Sequence, residues 1–141
     1  MANAGKGSAI AQLWRDKQLE YSRLRALAGP DRYVSFWQIT MDALEFVDRS
    51  LGLSMSESQR QTLLDAYARL SAYPEVADVL VRLRGSGRRL CILSNGDPQM
   101  LDKAISASGL RDAFEAVLSV DALKTFKVAP QAYALVLREF G

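Results

Sequence analysis

The sequence has no histidine and a single cysteine. Without histidine, a Ser-His-Asp or Cys-His nucleophilic engine is excluded, and so is every histidine-ligated metal site. Chemistry in this chain must rest on carboxylate, lysine, arginine, serine, asparagine or tyrosine. The lone Cys91 cannot close an internal disulfide. It lies inside an apolar run and reads as a buried structural thiol, which fits a reducing, cytoplasmic setting. No apolar run approaches the roughly 18 residues that a membrane span needs. The opening Met1–Ser8 stretch has no apolar h-region and does not read as a signal peptide. An excess of one charge is missing too: the net charge is +2. That carries no argument for nucleic acid, although it would not repel a small anion.

What is present is the composition of a soluble globular domain, with 49% hydrophobic and 24% charged residues in a chain of 141. The length suits one domain, or one domain with an insertion. Arg82, Arg84, Arg88 and Arg89 flank a helix end and a strand start, where a solvated rim is the simpler reading and an anion patch the other.

The first half is helical. Ile10, Leu13, Trp14, Lys17, Tyr21, Leu24 and Leu27 recur at three or four residues and predict a helix over 8–28, with Ser8 as its cap and Gly29-Pro30 as its end. A second helix is expected over about 32–51, with Tyr33, Phe36, Trp37, Thr40, Ala43, Leu44 and Val47 on one face and Gly52 as terminator. Ser56 and Gln59 form a capping box that opens a third, with Leu63, Leu64, Tyr67 and Leu70 as its face. Three amphipathic helices with short connections make a small bundle.

The pattern changes near Ser71-Ala72-Tyr73-Pro74. A helix is expected from Pro74 to about Arg84, with Val76, Val79, Leu80 and Leu83 inward. A strand Leu90–Leu93 follows, then a helix from Pro98 to about Ser108, capped by Asp97 and ended by Gly109. Phe114–Val120 reads as a second strand, 121–129 as a loop, and Pro130–Phe140 as a last helix. Helices alternating with short apolar strands predict a parallel α/β sheet. A two-stranded sheet is marginal and parallel sheets usually have several strands. Further strands are therefore expected outside the chain, which reads as the middle segment of a larger protein.

The first strand stops at Ser94-Asn95-Gly96, and a helix starts at once. Hydroxyl, side-chain amide and backbone N–H groups then meet at a helix N-terminus, an arrangement suited to an anion. An ordinary polar turn is the equal alternative. In open α/β sheets ligands bind beyond the carboxyl ends of strands. Lys127 emerges from the loop after the second strand, near the same end, where a lysine can neutralise a carboxylate or a bound anion. A plain surface lysine is the alternative, and Lys124 is the nearby competitor. Gly5-Lys6-Gly7-Ser8 mimics the end of a phosphate loop but lacks the earlier glycine and the strand before it.

The run Trp14-Arg15-Asp16-Lys17-Gln18-Leu19-Glu20-Tyr21, followed by Ser22 and Leu24-Arg25, closely resembles the cap-domain helix of the L-2-haloacid dehalogenases, a branch of the haloacid dehalogenase superfamily. Further matches follow in order: Arg32-Tyr33-Val34 with Phe36; Asp65-Ala66-Tyr67 with Arg69-Leu70; Ile92-Leu93-Ser94-Asn95-Gly96; Leu118-Ser119-Val120-Asp121; and Phe126-Lys127 with Tyr133. The resemblance covers nearly the whole chain. The Ser-Asn-Gly strand end points only to the superfamily, and the cap-helix run singles out the dehalogenase branch.

The resemblance implies an incomplete Rossmann-like parallel sheet core, over 73–141, with an inserted helical cap over 8–72. It implies hydrolysis of short L-2-haloalkanoic acids to D-2-hydroxy acids and halide through an aspartyl ester, with no metal or cofactor. The expected partners are the haloacid and halide, with a homodimer at full length and no nucleic acid or membrane. Arg15 and Asn95 would receive the leaving halide, where negative charge develops. Ser94 would hold the substrate carboxylate, and Lys127 would keep the nucleophile ionised, supported by Tyr133. Leu19 and Phe36 would line an apolar pocket. The Asp-x-Tyr-Gly-Thr segment bearing the nucleophile and the later Ser-Asn-x-Trp-Asp segment have no match, so the chain by itself is expected to be inactive. Lys127 is followed by Val128-Ala129-Pro130, where the family has proline directly after the lysine, and Asp16 stands where relatives often carry glutamine. Two alternatives stay open. A phosphatase or phosphonatase of the same superfamily would need magnesium and a second acidic residue two after the nucleophile. A non-catalytic binding or dimerisation module would melt cooperatively as a defined oligomer.

Overall fold

The computed structural model describes residues 4–141, so Met1–Asn3 of the N-terminal stretch lie outside the described residues. In chain order the elements are α1 (Ala4–Ala28), α2 (Phe36–Leu51), α3 (Glu57–Ala68), α4 (Val76–Gly85), β1 (Cys91–Ser94), α5 (Pro98–Ser108), β2 (Ala116–Ser119) and α6 (Pro130–Phe140). Single 3-10 turns occupy Pro30–Arg32, Arg111–Ala113 and Val120–Leu123. The order of elements is the predicted one. Among the described residues the sheet consists of β1 and β2, parallel, with Cys91 opposite Ala116 and Ser94 opposite Ser119. Both strands therefore end level, and their carboxyl ends face the same way.

Boundaries hold where punctuation is strong. Asp97 accepts from the Met100 N–H at 3.0 Å and Gly109 closes α5 in the left-handed region at φ 67°. At α3, Ser56 and Gln59 form the expected reciprocal capping box. At α2 the start moves from about 32 to Phe36. Pro30–Arg32 forms its own turn, Tyr33 is extended, and Ser35 is the cap that accepts from Gln38. Tyr33 thus precedes the helix instead of lying on its face. Ser8 is not a cap either, because α1 starts at Ala4; the same fact makes Gly5–Ser8 helical and removes any phosphate-loop geometry there.

The face of α1 differs most from expectation. Its buried line is Trp14, Gln18 and Ser22, whereas Leu24 and Leu27 are 56% and 85% exposed. At 100° per residue Leu27 lies about 140° around the helix from Trp14, on the flank away from Ser22. The α1–α2 seam is part polar. The Trp14 indole donates to the Thr40 carbonyl at 2.8 Å, and the Gln18 amide donates to Thr40 Oγ1 at 2.9 Å. Thr40 Oγ1 in turn donates to the Phe36 carbonyl. Buried polar groups that are fully paired specify register as well as packing.

Trp14, Ala43, Leu44, Val47 and Leu64 form one core inside the helices, and Phe36, Ile39 and Phe126 form a second. The second joins the helices to the β-α half, because Phe126 follows β2 and stacks on Tyr33 with ring centroids 5.1 Å apart. Other expectations fail by exposure. Leu70 falls beyond α3 and is exposed, Leu83 of α4 is exposed, and Cys91 is only partly buried.

Candidate active site

The site is built from the ends of the two strands and one flank of α1. β1 ends at Ser94, and Asn95 and Gly96 turn the chain into α5. The turn is held from inside: the Gly96 N–H donates to Ser94 Oγ at 3.0 Å. The Ser94 hydroxyl keeps its own proton to donate. It is also held from β2, where Ser119 Oγ donates to the Gly96 carbonyl at 2.7 Å and accepts from the Asp121 N–H at 3.2 Å. A side chain at Gly96 would meet Leu101 Cδ2 at 3.2 Å, so helix α5 packs close against this turn.

Lys127 is tied to the same strand end twice. Its N–H donates to Asn95 Oδ1 at 2.7 Å, and its Nζ donates to the Leu93 carbonyl at 2.8 Å. The first bond orients the Asn95 amide: with Oδ1 occupied, Nδ2 is the group left to donate to a ligand. The second leaves two ammonium protons available. Arg15 approaches from α1. It makes no ion pair among the described residues.

These groups share one cavity of about 440 Å³. Arg15, Ser94, Asn95 and Lys127 line it together with the apolar Leu19, Phe36, Met100 and Leu101. Five cavity-lining side chains, Leu19 and Phe36 among them, sit within the helices α1 and α2: Arg15, Leu19, Ser22, Arg23 and Phe36. Six of the seven expected site residues are therefore brought to one cavity. Tyr133 is not: it lies on α6, half exposed, and does not line it. Arg23 and Ser119 were not foreseen. Arg23 could have been found from its spacing, four residues after Leu19 and eight after Arg15. Ser119 acts through a bond to Gly96, 23 residues away, which no local pattern encodes. Among the described residues no carboxylate lines the cavity, and no group of three or more His, Cys, Asp or Glu side chains could hold a metal ion.

Behind the cavity a clamp joins the helices to the loop that carries Lys127. The Tyr33 hydroxyl donates to Asp121 Oδ1 at 2.6 Å, and Lys124 pairs with Asp121 Oδ2 at 3.2 Å. Burial, and then the bond to Asp121, push the Tyr33 hydroxyl well above its ordinary value. The bonds from Tyr33 and Lys124 hold the Asp121 carboxyl below the usual carboxylate range. Lys124 caps the 3-10 turn over Val120–Leu123 in the left-handed region at φ 48°.

The sequence model of the haloacid dehalogenase-like hydrolases matches residues 3–141. The chain belongs to this family. It is 47% identical over 137 residues to an (S)-2-haloacid dehalogenase of Pseudomonas sp. (strain YL), covering 97% of this chain and 58% of that protein. A solved L-2-haloacid dehalogenase superposes with a TM-score of 0.93 at 49% identity, over 97% of this chain and 61% of that one. The L-2-haloacid dehalogenase of Xanthobacter autotrophicus superposes with a TM-score of 0.87 at 46% identity, over 99% and 56%. That enzyme has also been solved with chloropropionic acid covalently bound. The chain thus spans a little over half the length of the relatives it matches. No helix among the described residues is long and apolar enough to cross a membrane.

Proposed function

We propose that the chain forms the anion-binding wall of an (S)-2-haloacid dehalogenase. Such an enzyme hydrolyses short L-2-haloalkanoic acids to D-2-hydroxy acids and halide. One observation carries this reading: Arg15, Ser94, Asn95 and Lys127 line a single cavity with Leu19 and Phe36, and no carboxylate among the described residues lines it. In this reading an aspartate from residues beyond those described attacks C2 opposite the halogen. The carbon–halogen bond breaks and its electron pair leaves with the halide. Water then adds to the carbonyl carbon of the aspartyl ester, which releases the hydroxy acid and restores the carboxylate.

Each group has a physical task. Arg15 and the free amide of Asn95 meet the charge that develops on the halide. Ser94 donates to the substrate carboxylate. Lys127 keeps the attacking carboxylate ionised, as an adjacent opposite charge does. Tyr133 enters only as a support of that network. Leu19 and Phe36 exclude water from the reacting carbon. The helices over 8–72 act as the cap, residues 73–141 as part of the core, and the enzyme works in the cytoplasm as a homodimer. A covalent mechanism cannot run without its nucleophile. The 141-residue polypeptide is therefore expected to bind L-2-chloropropionate through Arg15 yet release no halide above a heat-killed control. Halide release by this polypeptide would overturn the need for an outside carboxylate. Binding that Arg15→Gln leaves unchanged would overturn the assignment of the cavity.

A further inference from the structure

We propose that Arg23 is a second anion-binding group of this cavity and selects 2-haloacids that carry a distal carboxylate, the 2-halodicarboxylates. The inference rests on the haloacid reading of the cavity and names its substrate class more narrowly. Arg15, Leu19 and Arg23 recur every four residues on α1 and all line the cavity. Eight residues at 1.5 Å each set the two guanidinium-bearing positions about 12 Å apart along the helix, with Leu19 between them. With Ser94 on the first carboxylate and Arg15 on the halide, Arg23 is left beyond the apolar Leu19 to receive a second carboxylate.

Charge points the same way. A monocarboxylate substrate and one attacking carboxylate balance Arg15 and Lys127. Arg23 is then a third positive charge with no counterpart. It is exposed and forms no ion pair among the described residues. Its backbone is set by helix α1, in which the preceding Ser22 is buried. A guanidinium at this position can meet a carboxylate through two parallel hydrogen bonds.

Titration calorimetry on the 141-residue chain with L-2-chloropropionate and L-2-chlorosuccinate tests this. Chlorosuccinate is expected to bind about fivefold tighter, the return of one solvent-accessible ion pair. In Arg23→Gln the ratio should fall to about one, and in Arg23→Lys part of it should return. Arg82→Gln, which removes the same charge from α4, should leave the ratio as it was; that arm separates a local contact from the general pull of a cationic protein. Far-ultraviolet circular dichroism checks that each variant is folded. A ratio near one in the parent chain, or a ratio that Arg23→Gln does not change, overturns the proposal. If those results come with binding that Arg15→Gln abolishes, the haloacid reading survives and only the distal subsite fails. If neither acid binds, both fall.

Discussion

The contact of Tyr33 with Asp121 shows how one pair of side chains carries a long-range task. The two residues are 88 positions apart, and their bond links the segment before α2 to the loop that leads to Lys127. Tyr33→Phe keeps the stack on Phe126 and removes the hydroxyl. A hydrogen bond to a charged group contributes roughly 1.5–3 kcal/mol, and partial exposure of Asp121 puts the expected cost near ~1 kcal/mol at pH 7. The pH dependence has a definite sign. The Asp121 carboxyl is lowered in the folded chain, so its contribution is present above the unfolded value near ~3.9 and is lost as pH falls through the folded value. The stability gap between parent and Tyr33→Phe, from urea titrations, should therefore be constant from pH 7 to about 5 and shrink below about 4. A gap that stays constant down to pH 3 would refute this. At the alkaline end the raised Tyr33 hydroxyl works in the opposite sense, and its contribution should fade as pH climbs past about 10.

At the level of elements, helix α5 is the one that fixes the site, because its cap directly follows the Ser94–Gly96 turn. Removing the cap with Asp97→Ala is expected to cost about 1 kcal/mol and to lower the melting temperature by roughly 3–5 °C. It should also weaken L-2-chloropropionate binding, while Asp97→Ser, which can still cap, restores both. A melting loss without any change in binding would mean that the bonds from Ser94, Ser119 and Lys127 hold the turn without the cap. The ends of α5 and α6 were legible in the sequence because Asp97-Pro98, Gly109 and Pro130 act on neighbouring backbone, whatever the tertiary context. The face of α1 was not. Its seam buries Gln18 and Ser22, which a search for apolar spacing passes over, and leaves out Leu24 and Leu27, which such a search collects. The reason is that Gln18 finds its partner in Thr40, which is on another helix, while Ser22 bonds back to the Leu19 carbonyl. The site divides the same way. Ser94, Asn95 and Lys127 could be placed at strand ends from local pattern. The bond from the Lys127 N–H to Asn95, which aims the amide, depends on how the loop after β2 returns to β1.

For the molecule as a whole, the decisive residue is Phe126. It is fully buried, its ring lies 5.1 Å from that of Tyr33 and 6.3 Å from that of Phe36, and the next residue is Lys127. Of the two cores, one lies within the helices; the other is where helices and β-α half meet, and Phe126 is its fully buried member from the β-α side, with Met100 packed partly buried against it. If that contact couples the halves, the chain unfolds in one step, and the two tryptophans, both in the helical half, report the same transition as backbone circular dichroism. Phe126→Ala removes the ring and is expected to cost about 3–5 kcal/mol. With the coupling gone, tryptophan fluorescence should follow the helices alone and its midpoint should separate from that of circular dichroism, because coincidence of probes is the mark of a two-state transition. The milder Phe126→Leu should lower both midpoints together, which covers the case in which the alanine variant does not fold. Coincident midpoints in a folded Phe126→Ala chain would show that the α1–α2 seam, and not this ring, holds the halves as one unit.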